Sequence, residues 1–412
     1  MSENPNPRQI PLQWRLECLG HALVEGLAGL LPGPWAFHLG EALGGVVWHF
    51  MPRRRKTILR NLRIAFAGEK DPAEIRRMAK ATFRRTGGNL ISAAHTAQLS
   101  PERLRKVIHI ENLDLFENAH ARGGVVLLLS HMGNWEILSR LVLILPPGVR
   151  AGAFFRPLNN LLMDEQVLKR RQQDGTRMFS RRDSTHHVAG FLREGGIVGI
   201  LADQRVGRQG ELVSFFGRVT RASPLPSLLA RRSKSTVLAL SVTTVEPGRW
   251  RAEFLPVETP PTTAHCMMAL EKAMQSGPVD VFWFQERWKV FLESWQTIRD
   301  WLGPEEKGTK PHRVLLWLAD APPEWELPET WTHPDVIHEA AIAAGSPPPT
   351  WLPASMKTHS VPAGADRGTL RKTIASIDES AMLPLDFILT SGAPEALVQA
   401  ARREAIPLVS LP

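Results

Sequence analysis

Apolar residues dominate positions 16–50, where Leu, Gly, Ala and Trp recur, but Glu25, His38, Glu41 and the turn from Pro32 to Pro34 interrupt them. A helix that crosses a bilayer needs roughly 20 consecutive, mostly apolar residues, and this stretch holds no such run. It also lacks the basic start, continuous apolar segment and small-residue cleavage site of a secretory signal. The pattern predicts two helices separated at residues 31–34. They either lie in the headgroup layer, with Trp14, Trp35 and Trp48 near the interface, or pack as ordinary amphipathic helices on the protein's own core. From 71 to 97, Ile75, Met78, Ala79 and Phe83, then Leu90 and Ile91 after Gly87 and Gly88, predict a helix, a glycine break and a second helix.

Further along, the period changes. Residues 125–130 form a short, almost wholly apolar run after Gly123 and Gly124, which marks a buried strand. Similar strands are expected at 151–155, 197–202 and 237–242, with helices at 160–173 and 224–232 between them. Alternating strands and helices predict an α/β fold with a mainly parallel sheet flanked by helices. In such sheets sites gather beyond the carboxyl ends of the strands, where His131, Arg156 and Asp203 fall. After Trp301 the composition shifts: 303–311 is charged, and proline then becomes dense through Pro362. Strands at 312–318, 387–390 and 406–411 and helices at 335–344 and 394–404 predict a second, small α/β unit. Three regions result: 1–52, membrane-associating helices; 53–302, the main α/β domain; and 303–412, an extension whose function the residues do not disclose.

Charge narrows the class of partner. The 412 residues carry 50 Lys and Arg against 41 Asp and Glu, a net charge of +9, which favours anionic partners. Between 52 and 85 there are twelve Lys or Arg against Glu69, Asp71 and Glu74. Beside an apolar N-terminus, this stretch is expected to face anionic membrane lipid, each nearby cation adding about 1 kcal/mol. No nucleic-acid-binding module accompanies it, so no nucleic acid is expected. Cys18 and Cys266 stand far apart, which indicates neither a disulfide framework nor a thiolate metal site; no metal and no cofactor are expected.

The chemistry concentrates at Ser130-His131-Met132-Gly133-Asn134-Trp135-Glu136. Positions five apart do not share a helix face, so His131 and Glu136 are expected to meet across a turn, with His131 at a strand end and Glu136 in a first helical turn. The carboxylate would then fix one ring nitrogen and leave the other to act as a base. The helix start would offer backbone N–H groups to an oxyanion. There is no G-x-S-x-G elbow, which predicts direct attack of an acceptor hydroxyl on a thioester carbonyl with His131 as general base.

Four more blocks follow in order: Phe155-Arg156-Pro157-Leu158, Leu201-Ala202-Asp203-Gln204, Phe215-Phe216-Gly217-Arg218 and Arg287-Trp288-Lys289. With the 52–62 entry and Gly195-Gly196, they make the chain resemble, over residues 15–300, the bacterial lipid A biosynthesis acyltransferases. These are the lauroyl and myristoyl transferases among the lysophospholipid acyltransferases. The resemblance implies a glycerol-3-phosphate acyltransferase-like fold at the cytoplasmic face of the bacterial inner membrane. It implies transfer of an acyl chain from acyl carrier protein or acyl-coenzyme A to a hydroxyl of a lipid A precursor or related glycolipid. By it, His131 and Glu136 match the catalytic pair. Arg156 suits phosphate or transition-state charge, or a structural ion pair with Asp203. Asp203 organises the site, with Gln204 in support. Phe215 and Phe216 line an acyl groove or pack the core, and Gly217 and Arg218 complete that acceptor block. Arg287 and Lys289 meet the carrier or form a solvated face. Two other readings stay open: an acyltransferase acting on a lysophospholipid or another membrane lipid, and a non-catalytic membrane-surface binding protein.

Overall fold

A computed structural model describes residues 11–180, 183–290, 297–302, 311–322, 324–362 and 364–411. The charged stretch 303–310, at the expected domain boundary, lies outside the described residues. Four helices open the chain, α1 Leu12–Leu30, α2 Gly33–Phe50, α3 Pro52–Phe66 and α4 Pro72–Thr96. The strands are β1 Ile108–Glu111, β2 Val125–Leu129, β3 Ala151–Phe154, β4 Arg177–Phe179, β5 Ile197–Leu201, β6 Glu211–Phe215 and β7 Arg218–Ala222, then β8 Thr236–Glu246, β9 Arg249–Pro256, β10 His312–Trp317, β11 Val336–Ala343, β12 Lys357–Val361, β13 Phe387–Thr390 and β14 Leu408–Ser410. Contacts group the chain differently from the consecutive regions 1–52, 53–302 and 303–412. One compact unit holds 1–52, 80–204 and 223–282, and the other holds 53–79, 205–222 and 283–412.

The first unit is built on a seven-stranded sheet in the order β1-β9-β8-β2-β5-β3-β4, parallel except for the β8/β9 pair. Central β2 reads Val-Val-Leu-Leu-Leu and is buried throughout, as a strand covered on both faces must be. Its side chains join Phe116, Trp250 and Phe254 in one apolar core. The turn at 31–34 separates α1 from α2 as expected. The glycine break is not observed, because α4 runs unbroken through Gly87 and Gly88. These glycines serve packing instead: a Cβ on Gly40 of α2 would run into the Gly87 carbonyl, and one on Gly88 would press on Phe37.

The second unit carries a five-stranded, all-parallel sheet in the order β12-β11-β10-β13-β14, with an apolar core on each face. The helix expected at 335–344 is a strand. Ala340, Ala341 and Ala343 favour a helix locally, but β11 is paired on both edges, to β10 and β12, and ladder pairing with burial overrides the weak local preference. Three cations of the basic stretch pair inside this unit, while Arg53, Arg54, Arg76 and Arg77 are exposed. Arg60 meets Asp378 at 2.6 Å, Arg63 meets the same carboxylate at 3.3 Å, and Lys56 pairs with Glu404. Burial pushes the Asp378 carboxyl up, but the Arg60 and Arg63 charges outweigh it and hold it below the usual carboxylate range. The residues beyond 303 therefore compensate cations of α3 within a single unit.

Candidate active site

The neighbours β2, β5 and β3 end at one edge of the first unit's sheet, so the residues just beyond them share that edge. After β2 the chain turns sharply. The Gly133 N–H donates to the Asp280 carbonyl at 3.0 Å, and Gly133 has φ +55° with the Val242 carbonyl where a side chain would begin, so both conformation and space call for glycine. Asn134 donates to Thr96 at 3.0 Å, and a 3₁₀ helix, Trp135–Leu143, follows.

This turn delivers His131 to Asp203, just beyond β5. The His131 backbone N–H donates to Asp203 Oδ2 at 3.0 Å, and Nδ1 lies 2.8 Å from Oδ1. With Nδ1 donating to the carboxylate, Nε2 carries the lone pair, and the Gln204 amide sits 3.2 Å from it. Trp135 stands edge-on at 5.4 Å and Phe282 lies 6.3 Å away, ring centre to ring centre, shielding the imidazole. Burial alone would push the imidazole down. The Asp203 charge and hydrogen bond, with a smaller contribution from Glu136, outweigh it and raise the ring above the ordinary histidine range.

Glu136 lies in a first helical turn, but the expected fold-back onto His131 does not occur. Its carboxylate is held by the Arg171 fork, with Nη2 at 2.5 Å from Oε1 and Nε at 3.0 Å from Oε2, and by the Trp135 indole at 3.2 Å. Two parallel charge-assisted bonds hold a carboxylate more strongly than one ring nitrogen does, and Asp203 already occupies that nitrogen. Burial would push Glu136 up, but Arg171 holds it below the usual carboxylate range. The carboxylate that orients His131 is Asp203, and Glu136 acts on the ring through charge.

Trp135, Glu136 and Arg171 also border an apolar cavity of about 70 Å³ between the sheet and the 3₁₀ helix, whose lining includes Leu138, Ala153 and Gly199. Arg156, beyond β3, is exposed and has no ion pair or hydrogen bond among the described residues, so the expected alternative pairing with Asp203 is not made.

The remaining expected site residues belong to the second unit. Phe216 (φ +53°) and Gly217 (φ +69°) form the two-residue turn between β6 and β7, the positive-φ geometry that tight hairpins favour. The turn places Phe216 against Phe215, Phe66, Trp283 and Trp288, so both phenylalanines pack an aromatic core. Arg218 is 2% exposed and paired with Asp386 at 2.7 Å. Arg287 is buried too, donating to Thr220 at 2.6 Å and lying over the Phe215 ring. Sequence reasoning missed Arg171, Trp135 and Phe282. Arg171 belongs to a Lys-Arg-Arg run at a helix end, which reads as ordinary dipole-complementing charge.

Comparison with known proteins gives two findings. The family described as "Bacterial lipid A biosynthesis acyltransferase" matches residues 7–290. A lipid A biosynthesis lauroyltransferase of Escherichia coli (strain K12) is 26% identical over 271 residues, covering 63% of this chain and 87% of the relative.

Proposed function

Because the chain belongs to the bacterial lipid A biosynthesis acyltransferase family and is an acyltransferase, we propose that it transfers a fatty acyl group from a carrier thioester, acyl carrier protein or coenzyme A, to a hydroxyl of a lipid A precursor, with His131 as general base. The observation that carries this reading is the His131 ring fixed by Asp203 at Nδ1, which leaves Nε2 as the basic nitrogen at the end of a parallel sheet.

The acceptor O–H gives its proton to Nε2 as its oxygen attacks the thioester carbonyl. The imidazolium that forms is stabilised by Asp203. Backbone N–H groups of the first 3₁₀ turn, Trp135 and Glu136, precede the first intrahelical bond, made by the Ile137 N–H to the Asn134 carbonyl, and suit the oxyanion. Collapse breaks the C–S bond, and the leaving thiolate recovers the proton from His131. The apolar cavity beside Trp135 takes part of the acyl chain, each buried CH₂ contributing about 0.8 kcal/mol. Exposed Arg156 is the natural contact for an acceptor phosphate.

A membrane-surface location belongs to the same reading, as does the finer assignment to a glycerol-3-phosphate acyltransferase-like fold. No helix among the described residues is long and apolar enough to cross a membrane. Along α1, however, Leu12, Leu16, Leu19, Leu23, Leu27 and Leu30 are all more than half exposed at spacings of three and four, an apolar stripe that suits insertion between lipid headgroups. The cytoplasmic face of the inner membrane, where anionic lipid and the acyl donor are both within reach, is the proposed site of action.

The test is mass spectrometry of membrane lipids from cells carrying the intact protein or His131→Ala. An acylated lipid lost with the substitution names the acceptor. Identical lipid profiles, with both proteins folded and present, would sink the proposal.

A further inference from the structure

The second unit contains a cavity of about 920 Å³, at the large end of the range for small-molecule sites. Its walls come from α3 and from the helices Arg367–Glu379 and Glu395–Arg403. Neither His131 nor Asp203 lines it, and the acyl-transfer reading makes no use of it.

The walls are strongly cationic. Arg53, Lys56 and Arg60 come from α3, Arg367 and Arg371 from one helix, and Arg403 from the other. Several are already engaged. Lys56 and Arg371 share the buried Glu404, and Arg60 is held by Asp378. Among the described residues Arg367 bonds only the neutral Gln399 side chain, at 3.0 Å. Arg53 and Arg403 are exposed and meet no carboxylate or hydrogen-bond acceptor among the described residues. Of the lining carboxylates besides Glu404, Asp366 caps its own helix at Thr369, Glu395 accepts from Gln399, and Glu286 pairs with Lys289. Among the described residues, the guanidinium groups of Arg53, Arg367 and Arg403 thus remain around one concavity without a charged partner.

We infer that this cavity is a second binding site, for a soluble small molecule bearing two or more phosphate charges, of the size of a nucleotide or sugar diphosphate. Guanidinium forks match phosphate oxygens two at a time, and three of them on different walls call for more than one anionic group. Shape chooses between sources of phosphate: a bilayer meets flat or convex surfaces, whereas these cations surround a hollow of ligand size. Apolar Ile64, Ala396 and the Trp288 ring complete the lining and suit the non-phosphate part of such a molecule.

The experiment is isothermal titration of the full chain with ATP and with pyrophosphate, repeated on Arg53→Ala/Arg403→Ala and on Arg122→Ala, an exposed cation of the other unit. Among the described residues neither arginine's side chain makes an ion pair or hydrogen bond, so the double variant should melt as the parent does. Saturable binding of at least one probe is expected. It should weaken at least about tenfold in the double variant, equivalent to about 1.4 kcal/mol, and stay unchanged in Arg122→Ala, whose arginine is exposed. No saturable binding, or equal loss in the control, would overturn the proposal. So would a parent that ignores both probes yet binds phosphatidylglycerol vesicles through Arg53 and Arg403, which would assign these arginines to a lipid surface.

Discussion

At the residue scale the site turns on which carboxylate faces His131. In the proposed mechanism His131 must be neutral to accept a proton, so activity should rise with pH through the His131 pKa, which Asp203 raises. Asp203→Asn removes the opposing charge and the strong bond at Nδ1. We expect the rate to fall on the order of 10²-fold or more and the inflection of kcat/KM against pH to move to lower pH. Glu136→Gln, which touches the ring only through charge, should move it less. An Asp203 that served structure alone would lower the rate and leave the inflection in place. His131, Glu136 and Asp203 were all legible as a constellation, because each follows a strand or opens a helix in a recognisable block. Their pairing was not legible. A gap of five residues made Glu136 the near partner, whereas the sheet order brings Asp203, 72 positions away, within 2.8 Å.

At the element scale the apolar runs located β2, β3 and β5 to within a residue, since a buried strand has little choice of composition, but β8 continues four residues past the expected end, where its side chains turn mostly polar and then exposed. Three features escaped for physical reasons. Gly87 and Gly88 resemble a helix break until α2 is seen packed on them. The alanine-rich β11 resembles a helix until two parallel neighbours claim its edges. In the block 215–218 core packing of Phe215 and Phe216 stood as one of two open readings and is what occurs, whereas the tight positive-φ turn at Phe216 and Gly217 had no signal. The same layering makes the cavity beside Trp135, proposed above to take the acyl chain, a junction of elements, bordered by β2, β3, β5 and the 3₁₀ helix. Ala153→Leu fills part of that space from β3. The expected outcome is a shift of the lipid product toward shorter acyl chains, read by mass spectrometry, with the acceptor unchanged. An unaltered chain-length distribution would remove this cavity from the account.

At the scale of the whole molecule, composition marked a boundary near 303, but electrostatics crosses it. Asp378, with 4% of its side chain exposed, faces both Arg60 and Arg63. Asp378→Ala would leave two largely buried guanidinium groups uncompensated, at a cost of about 3–5 kcal/mol, visible as a lower denaturant midpoint. The pH dependence has a definite sign. The folded pKa of Asp378 is depressed, so its stabilisation is complete above the unfolded value of about 3.9 and is lost as pH falls through the folded one. Melting temperature should therefore drop on strong acidification, and drop less in the variant.

The partnership between α3 and Asp378 also has a timetable. Arg60 and Asp378 are 318 positions apart, and a ribosome adding about 5–20 residues per second needs roughly 15–65 s to cover that distance. Throughout that interval the most basic helix of the nascent chain is outside the tunnel without its carboxylate, while the exposed leucines of α1 have already emerged. Whatever anionic surface lies nearest, whether bilayer or ribosomal RNA, competes for those cations until the last strands are made. Premature stops after the acyl-transfer segment should accordingly leave polypeptides that cling to such surfaces, a fate set by the order of synthesis as much as by the finished contacts.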